Sequence, residues 1–158
     1  MHTLLMALED HPAEISNLSL NIPESDNALP DLLDEILWNL DWMLSMQDPH
    51  DGGVYHKLTT KRFTSMNKMP HENYQPRYVV AKSTSATLGF AAVTAQAARI
   101  VKPYRPLYAA KLEKASAQAW KWAIDNPKIA YKQPSDIYTG EYGGRPDQLA
   151  DELSLIQI

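Results

Sequence analysis

The segment from Ser83 to Val101 constrains the fold most. It runs through Ala86, Leu88, Phe90, Ala91, Ala92, Val93, Ala95, Ala97, Ala98 and Ile100, so a helix here is apolar or small on nearly every side. Such a helix must be covered on more than one face, and its alanines let neighbours approach closely. The chain therefore needs further helices to pack around it. Two other segments supply helical periodicity. Leu32, Leu33, Ile36, Leu37, Leu40, Met43 and Leu44 recur at helical spacing after Pro30, and the pattern ends near Gln47. From Leu107 to Asn126, Leu112, Ala115, Ala119, Trp122 and Ala123 form one stripe, opposite Lys111, Glu113, Lys114, Gln118 and Lys121. Strand alternation is scarce, so the spacing predicts an all-α architecture with long loops.

The connections are long and polar. Residues 10 to 29 hold Pro12, Pro23 and a run of Ser, Asn and Asp, and are expected to be irregular. Residues 48 to 80 begin with Pro49, Gly52 and Gly53, include Pro70 and Pro76, and leave room for short extended pieces only. Residues 127 to 148 carry Pro127, Pro134, Gly140, Gly143, Gly144 and Pro146 and are expected to be loop. Loops of this length in a compact domain usually serve function or stay disordered. At the start, Leu4, Leu5 and Leu8 form a helical face without a basic n-region, unlike a signal peptide, and resemble the last turns of a helix begun upstream. At the other end, Asp151 to Ile158 opens an apolar pattern that stops before two turns are complete. Residues 1–158 are thus expected to be one incomplete domain, cut at both ends.

Charge and composition exclude several function classes. A formal charge of −4 and a pI near 5.7 argue against a phosphate-tracking nucleic-acid surface. No cysteine is present, which removes disulfides, thiolate metal sites and cysteine nucleophiles together. The apolar runs fall short of the roughly 18 residues that cross a bilayer, and the mean hydropathy is −0.39, so no membrane partner is expected.

Four constellations bear on chemistry. Asp31, Asp34 and Glu35 share a helix face, but acidic groups in a first turn are expected to be solvated partners of the helix dipole. The histidines, His2, His11, His50, His56 and His71, show no zinc-type spacing. No Gly-rich phosphate loop or Gly-x-Ser-x-Gly elbow occurs, and Thr84, Ser85 and Thr87 have no partner base visible in sequence. Aromatic groups cluster in the loops: Tyr55, His56, Phe63, Tyr74 and Tyr78 in one, Tyr131, Tyr138 and Tyr142 in another. Flat rings beside hydrogen-bonding groups suit a sugar, and the same rings can simply pin loops to helix ends. Trp38 and Trp42, one turn apart, are expected to pack in the core.

The loop and helix junctions carry a resemblance. Leu20-Asn21-Ile22-Pro23-Glu24-Ser25, Leu29-Pro30-Asp31-Leu32-Leu33-Asp34-Glu35, Leu40-Asp41-Trp42-Met43-Leu44-Ser45-Met46-Gln47-Asp48 and Asp51-Gly52-Gly53-Val54-Tyr55-His56-Lys57 occur in order. Pro76-Arg77-Tyr78-Val79-Val80-Ala81-Lys82-Ser83-Thr84, Thr139-Gly140-Glu141-Tyr142-Gly143 and Asp151-Glu152 follow. Together they resemble glycoside hydrolase family 9, the inverting β-1,4-glucanases often called cellulases, over nearly the whole chain. The resemblance implies an (α/α)6 barrel of which this chain is a part, with a substrate cleft in the loops at one end. It also implies hydrolysis with inversion, by an aspartate base and a glutamate acid whose carboxyls stand roughly 6.5 to 9.5 Å apart.

The family's base lies in an Asp-Ala-Gly-Asp motif upstream of the matched region and its acid far downstream. Asp48-Pro49-His50-Asp51 is not that motif. The resemblance thus implies no catalytic residue here and an inactive piece of an enzyme acting on β-glucan or cello-oligosaccharide. It places the parent outside the cell or in the periplasm. His56 and Tyr142 match positions that touch substrate; the alternative for His56 is a loop-ordering histidine. Asp151 and Glu152, with Asp147 beside them, match acidic residues that hold a structural calcium in many members, and oxygen donors on a loop entering a helix suit that ion; the alternative is plain acidity at a helix start. After Glu152 the sequence departs from the family pattern, reading Leu153-Ser154-Leu155-Ile156. No organic cofactor is implied. Apolar faces left uncovered in a partial barrel would drive self-association. The rival readings are a noncatalytic carbohydrate-binding module and a helical interaction protein.

Overall fold

A computed structural model of the chain describes residues 1–140. Its elements are α1 (His2–Asp10), α2 (Pro12–Ser16), α3 (Asp31–Ser45), β1 (Tyr55–Thr59), β2 (Tyr78–Lys82), α4 (Thr84–Val101) and α5 (Pro106–Asp125). The structure is mostly helical, with a core that α4 crosses. Leu5 and Leu8 of α1, Leu33, Ile36 and Leu40 of α3, Ala97 and Val101 of α4 and Leu112 of α5 form the main cluster. A second cluster joins Met46 and Val54 to Phe90, Ala91, Ala115 and Ala119, where alanines bring α4 and α5 together. Ser116 Oγ on α5 donates to the Ala91 carbonyl of α4 at 2.8 Å, closing that contact with a hydrogen bond.

Helix ends follow the sequence. Pro30 stands as N-cap of α3 and Pro106 opens α5. Ser83 caps α4, its Oγ accepting from the Ala86 N–H at 3.2 Å. Four expectations require correction. The all-α assignment leaves out that the short extended pieces expected within residues 48 to 80 pair as antiparallel strands, in register from Tyr55↔Lys82 to Thr59↔Tyr78; β1 is half-buried throughout and β2 exposes its first two residues, so neither shows a clean in-out alternation. Residues 12 to 16 form the short α2, with Pro12 starting it and a side-chain bond from Ser16 to the Pro12 carbonyl. Asp31 and Asp34 are buried rather than solvated. Asp31 accepts from the Leu20 N–H and the Ser25 hydroxyl, both at 2.8 Å, and Asp34 accepts from Asn27 Nδ2 at 2.9 Å. The polar loop before α3 closes over them and supplies the donors that water would otherwise give. Trp38 and Trp42, finally, are exposed, because α3 buries the Leu33–Ile36–Leu40 stripe instead.

Candidate functional site

The C-terminal ends of α3 and α5, the N-terminal end of α4, the β1–β2 hairpin and the stretch after α5 meet at one end of the molecule. The turn from Asp48 to Gly53 begins this convergence. Gly52 has φ +84°, and a β-carbon there would stand 2.9 Å from the Gln118 carbonyl oxygen of α5. A β-carbon on Gly53 would stand 2.6 Å from the Trp122 ring. Only glycine lets this turn lie against α5.

An ionic clamp fixes the turn to the hairpin. Lys82, the last residue of β2, sends Nζ to Asp48 at 2.7 Å and to both oxygens of Asp51 at 2.8 Å. Trp122 Nε1 donates to Asp51 at 3.1 Å, and Tyr55 Oη donates to Asp48 at 3.1 Å. The Lys82 ammonium, with the His50 backbone N–H, holds the Asp48 carboxyl down at about 2. Burial pushes Asp51 up, but hydrogen bonds from Lys82, the Gly53 N–H and Trp122 outweigh it and leave Asp51 below the usual range. Lys82 is raised in turn: burial opposes the charge, and the two carboxylates prevail. Neither aspartate is poised to donate a proton near neutral pH.

His56 is the second residue of β1, beside this clamp. Its ring stacks on Tyr131 at 4.1 Å between centroids and 13° between planes, and its Nδ1 lies 2.7 Å from Ser83 Oγ. Ser83 is fully buried and already serves as the cap of α4, so it orients the imidazole rather than attacking a substrate. Ala81, between the paired residues Val80 and Lys82 of β2, holds φ 43°, a left-handed conformation costly for any residue with a β-carbon. Lys57, next along β1, donates to the carbonyls of Thr139 and Gly140 and to Gln133 Oε1. Thr59 and Thr139 share a 2.6 Å hydroxyl contact. This network ties residues 131–140 to the hairpin edge. A flat ring pair set among hydroxyl, amide and ammonium groups is suited to binding a polar ring by hydrogen bonds and stacking.

Comparison with known proteins decides the family. Residues 1–155 match the model of glycosyl hydrolase family 9. The chain belongs to that family. It is 49% identical over 138 residues to the xyloglucan-specific endo-β-1,4-glucanase BoGH9A of Bacteroides ovatus, covering 81% of this chain and 23% of the relative. It is 38% identical over 141 residues to endoglucanase D of Acetivibrio thermocellus, covering 89% and 22%. A solved structure of a Bacteroides ovatus family 9 protein superposes with a TM-score of 0.88 at 43% identity, over 97% of this chain and 29% of that one. The chain thus spans less than a quarter of the length of these two curated relatives, and as a member of family 9 it is part of the glycoside hydrolases.

Of the residues the sequence singled out, His56 falls at the convergence just described, held on two sides. Tyr142, Asp147, Asp151 and Glu152 lie outside the described residues. Among the loop aromatics, Tyr131 is buried beneath His56 and Tyr55 is bound to Asp48, so both order the loops. Phe63, Tyr74 and Tyr138 are exposed. Sequence reasoning missed Ser83 and the pair Asp51–Lys82. Their only trace was membership of the quoted family 9 motifs, because their partners lie 27 and 31 residues away.

Proposed function

We propose that this chain is one part of a family 9 catalytic domain, a partial (α/α)6 barrel, whose complete form cleaves β-1,4-glucosidic bonds in cellulose or related β-glucans with inversion. The observation that carries this reading is the family 9 match over residues 1–155, with relatives named as endo-β-1,4-glucanases. Inversion needs an acid to protonate the leaving oxygen and a base to activate water on the opposite face of the sugar. This chain contributes neither. Asp31 and Asp34 are taken up by the preceding loop and Asp48 and Asp51 by Lys82. Its share of the work is recognition. His56, held by Tyr131 and Ser83, contacts the sugar, and Tyr142 lines the cleft. Because the polymer is too large to enter a cell, the enzyme works outside it or in the periplasm.

Asp151 and Glu152, with Asp147, form the oxygen donor set of a structural calcium. Carboxylates are the ligands this hard cation takes, and it would fix the loop rather than take part in bond cleavage. Calorimetric titration of calcium into the intact enzyme is expected to give heat that Asp151→Asn removes; no heat would overturn the assignment.

Two measurements test the main reading. Purified chain incubated with β-1,4-glucan is expected to release no reducing ends. Cellohexaose is expected to bind it weakly, and His56→Ala to abolish that binding. Measurable turnover would refute the division of labour, and unchanged binding in the variant would return His56 to a loop-ordering role.

A further inference from the structure

The hairpin has a charge opposite to that of the rest of the chain. Between Tyr55 and Lys82 stand Lys57, Lys61, Arg62, Lys68, Arg77 and Lys82 against the single carboxylate of Glu72, in a chain of formal charge −4. Lys57 and Lys82 turn inward to the contacts already described, and Lys61 pairs with Asp136 at 2.7 Å. Arg62, Lys68 and Arg77 are exposed and make no ion pair among the described residues.

Rings stand beside these cations. Phe63 is 71% exposed and Tyr138 61%. The Arg62 guanidinium lies 5.1 Å from the centre of the Tyr138 ring, and the Lys61 ammonium 5.5 Å from that of Tyr78. The Tyr138 N–H donates to the Lys61 carbonyl at 2.7 Å. Phe63 Cζ lies 3.6 Å from where a β-carbon on Gly140 would stand. Because Thr59 pairs with Tyr78, the two ends of the loop meet and bring Arg77 to the same rim as Lys61 and Arg62. The rim continues the strip of residues 138–140 to which Lys57, the neighbour of His56, is bonded.

We propose that this rim is a binding surface for a carboxylated, uronic-acid-bearing β-glycan. The inference rests on the carbohydrate reading given above and adds a charge preference to it. Two chemistries must be met together. Exposed ring faces suit the apolar faces of sugar units. A guanidinium matches the two oxygens of a carboxylate better than it matches neutral hydroxyls. A neutral glucan offers no carboxylate to Arg62 and Arg77, whereas a sugar acid does.

The test titrates the full chain with cellohexaose and with cellohexaose oxidised to the acid at C6, at low and high salt. The oxidised sugar is expected to bind about tenfold tighter at low salt, as a few exposed ion pairs provide. That preference is expected to shrink as salt rises. The double variant Arg62→Gln, Arg77→Gln is expected to lose the preference and to keep its affinity for neutral cellohexaose. Equal affinity for the two sugars at low salt overturns the proposal, as does a preference that survives the double variant. A single-stranded oligonucleotide of equal charge that binds as tightly as the oxidised sugar also overturns it, since the rim would then attract any polyanion. If cellohexaose alone binds, this inference fails and the reading of His56 stands. If the oxidised sugar alone binds, and through the arginines, the rim stands and His56 is not a sugar contact. If neither binds, both fall.

Discussion

At the scale of single residues, Asp48 and Ala81 are the most testable. Asp48 is held at about 2 by Lys82 and the His50 N–H, below its ordinary 3.8. Its folded-state value is depressed, so the stability it adds is present above about 4 and is lost as the pH falls toward 2. We predict that melting temperature drops through that window, and that Asp48→Asn melts lower at neutral pH with a flatter acid limb. Superimposable curves for the two proteins would mean that the clamp adds nothing. Ala81 at φ 43° has the opposite sign. Replacement by glycine removes a left-handed strain of about 1–2 kcal/mol and loses about 1 kcal/mol to the freer unfolded chain. We predict a gain of up to about 1 kcal/mol in urea unfolding, combining those two terms. Neither residue announces this in sequence: the cation that holds Asp48 lies 34 residues away, and a left-handed alanine has no sequence signature.

At the scale of elements, α4 connects fold to site. Its interior packs against α1, α3 and α5, while its cap, Ser83, is also the partner of His56. Ser83→Ala should therefore act twice. Loss of the cap costs about 1 kcal/mol, and loss of the Nδ1 contact removes one of the ties that orient the ring. We predict a modest drop in denaturation midpoint together with broadened or shifted His56 ring resonances. Ser83→Thr keeps a hydroxyl and should restore both; failure of the threonine variant to restore the resonances would separate the cap from the site. The helices α3, α4 and α5 were legible to within a few residues. The hairpin was not, because Tyr55–Thr59 and Tyr78–Lys82 are only partly covered and hold each other through backbone bonds that any residue can make.

At the scale of the whole molecule, exposed apolar surface decides association, and α4, the most apolar helix, carries no large exposed group. That helix is well covered by α1 and α5, and the large exposed groups sit elsewhere: Trp38 at 72% on α3 and Leu107 at 89% on α5. An open groove of about 440 Å³ between α4 and α5, lined in part by Ala95, Ala98, Ala117 and Trp120, adds to them. Surfaces of this kind favour association. We predict that the isolated chain sediments with a concentration-dependent mass and that Trp38→Glu, which leaves the core untouched, shifts it toward monomer. A single monomeric species at all concentrations would count against the exposed faces being sticky.

What the sequence determined by itself was local: three of the helices, their proline and serine starts, the glycine turn and the family motifs. A helix forms from bonds within each successive turn, so its apolar stripe repeats at a fixed spacing and can be found without knowing the rest of the chain. The tertiary structure alone decided what each polar group does. The loop before α3 buries Asp31 and Asp34, Lys82 takes Asp48 and Asp51, and His56 rests between Ser83 and Tyr131. A carboxylate or an imidazole acquires its chemistry from the donors, charges and rings brought beside it, and here those come from tens of residues away.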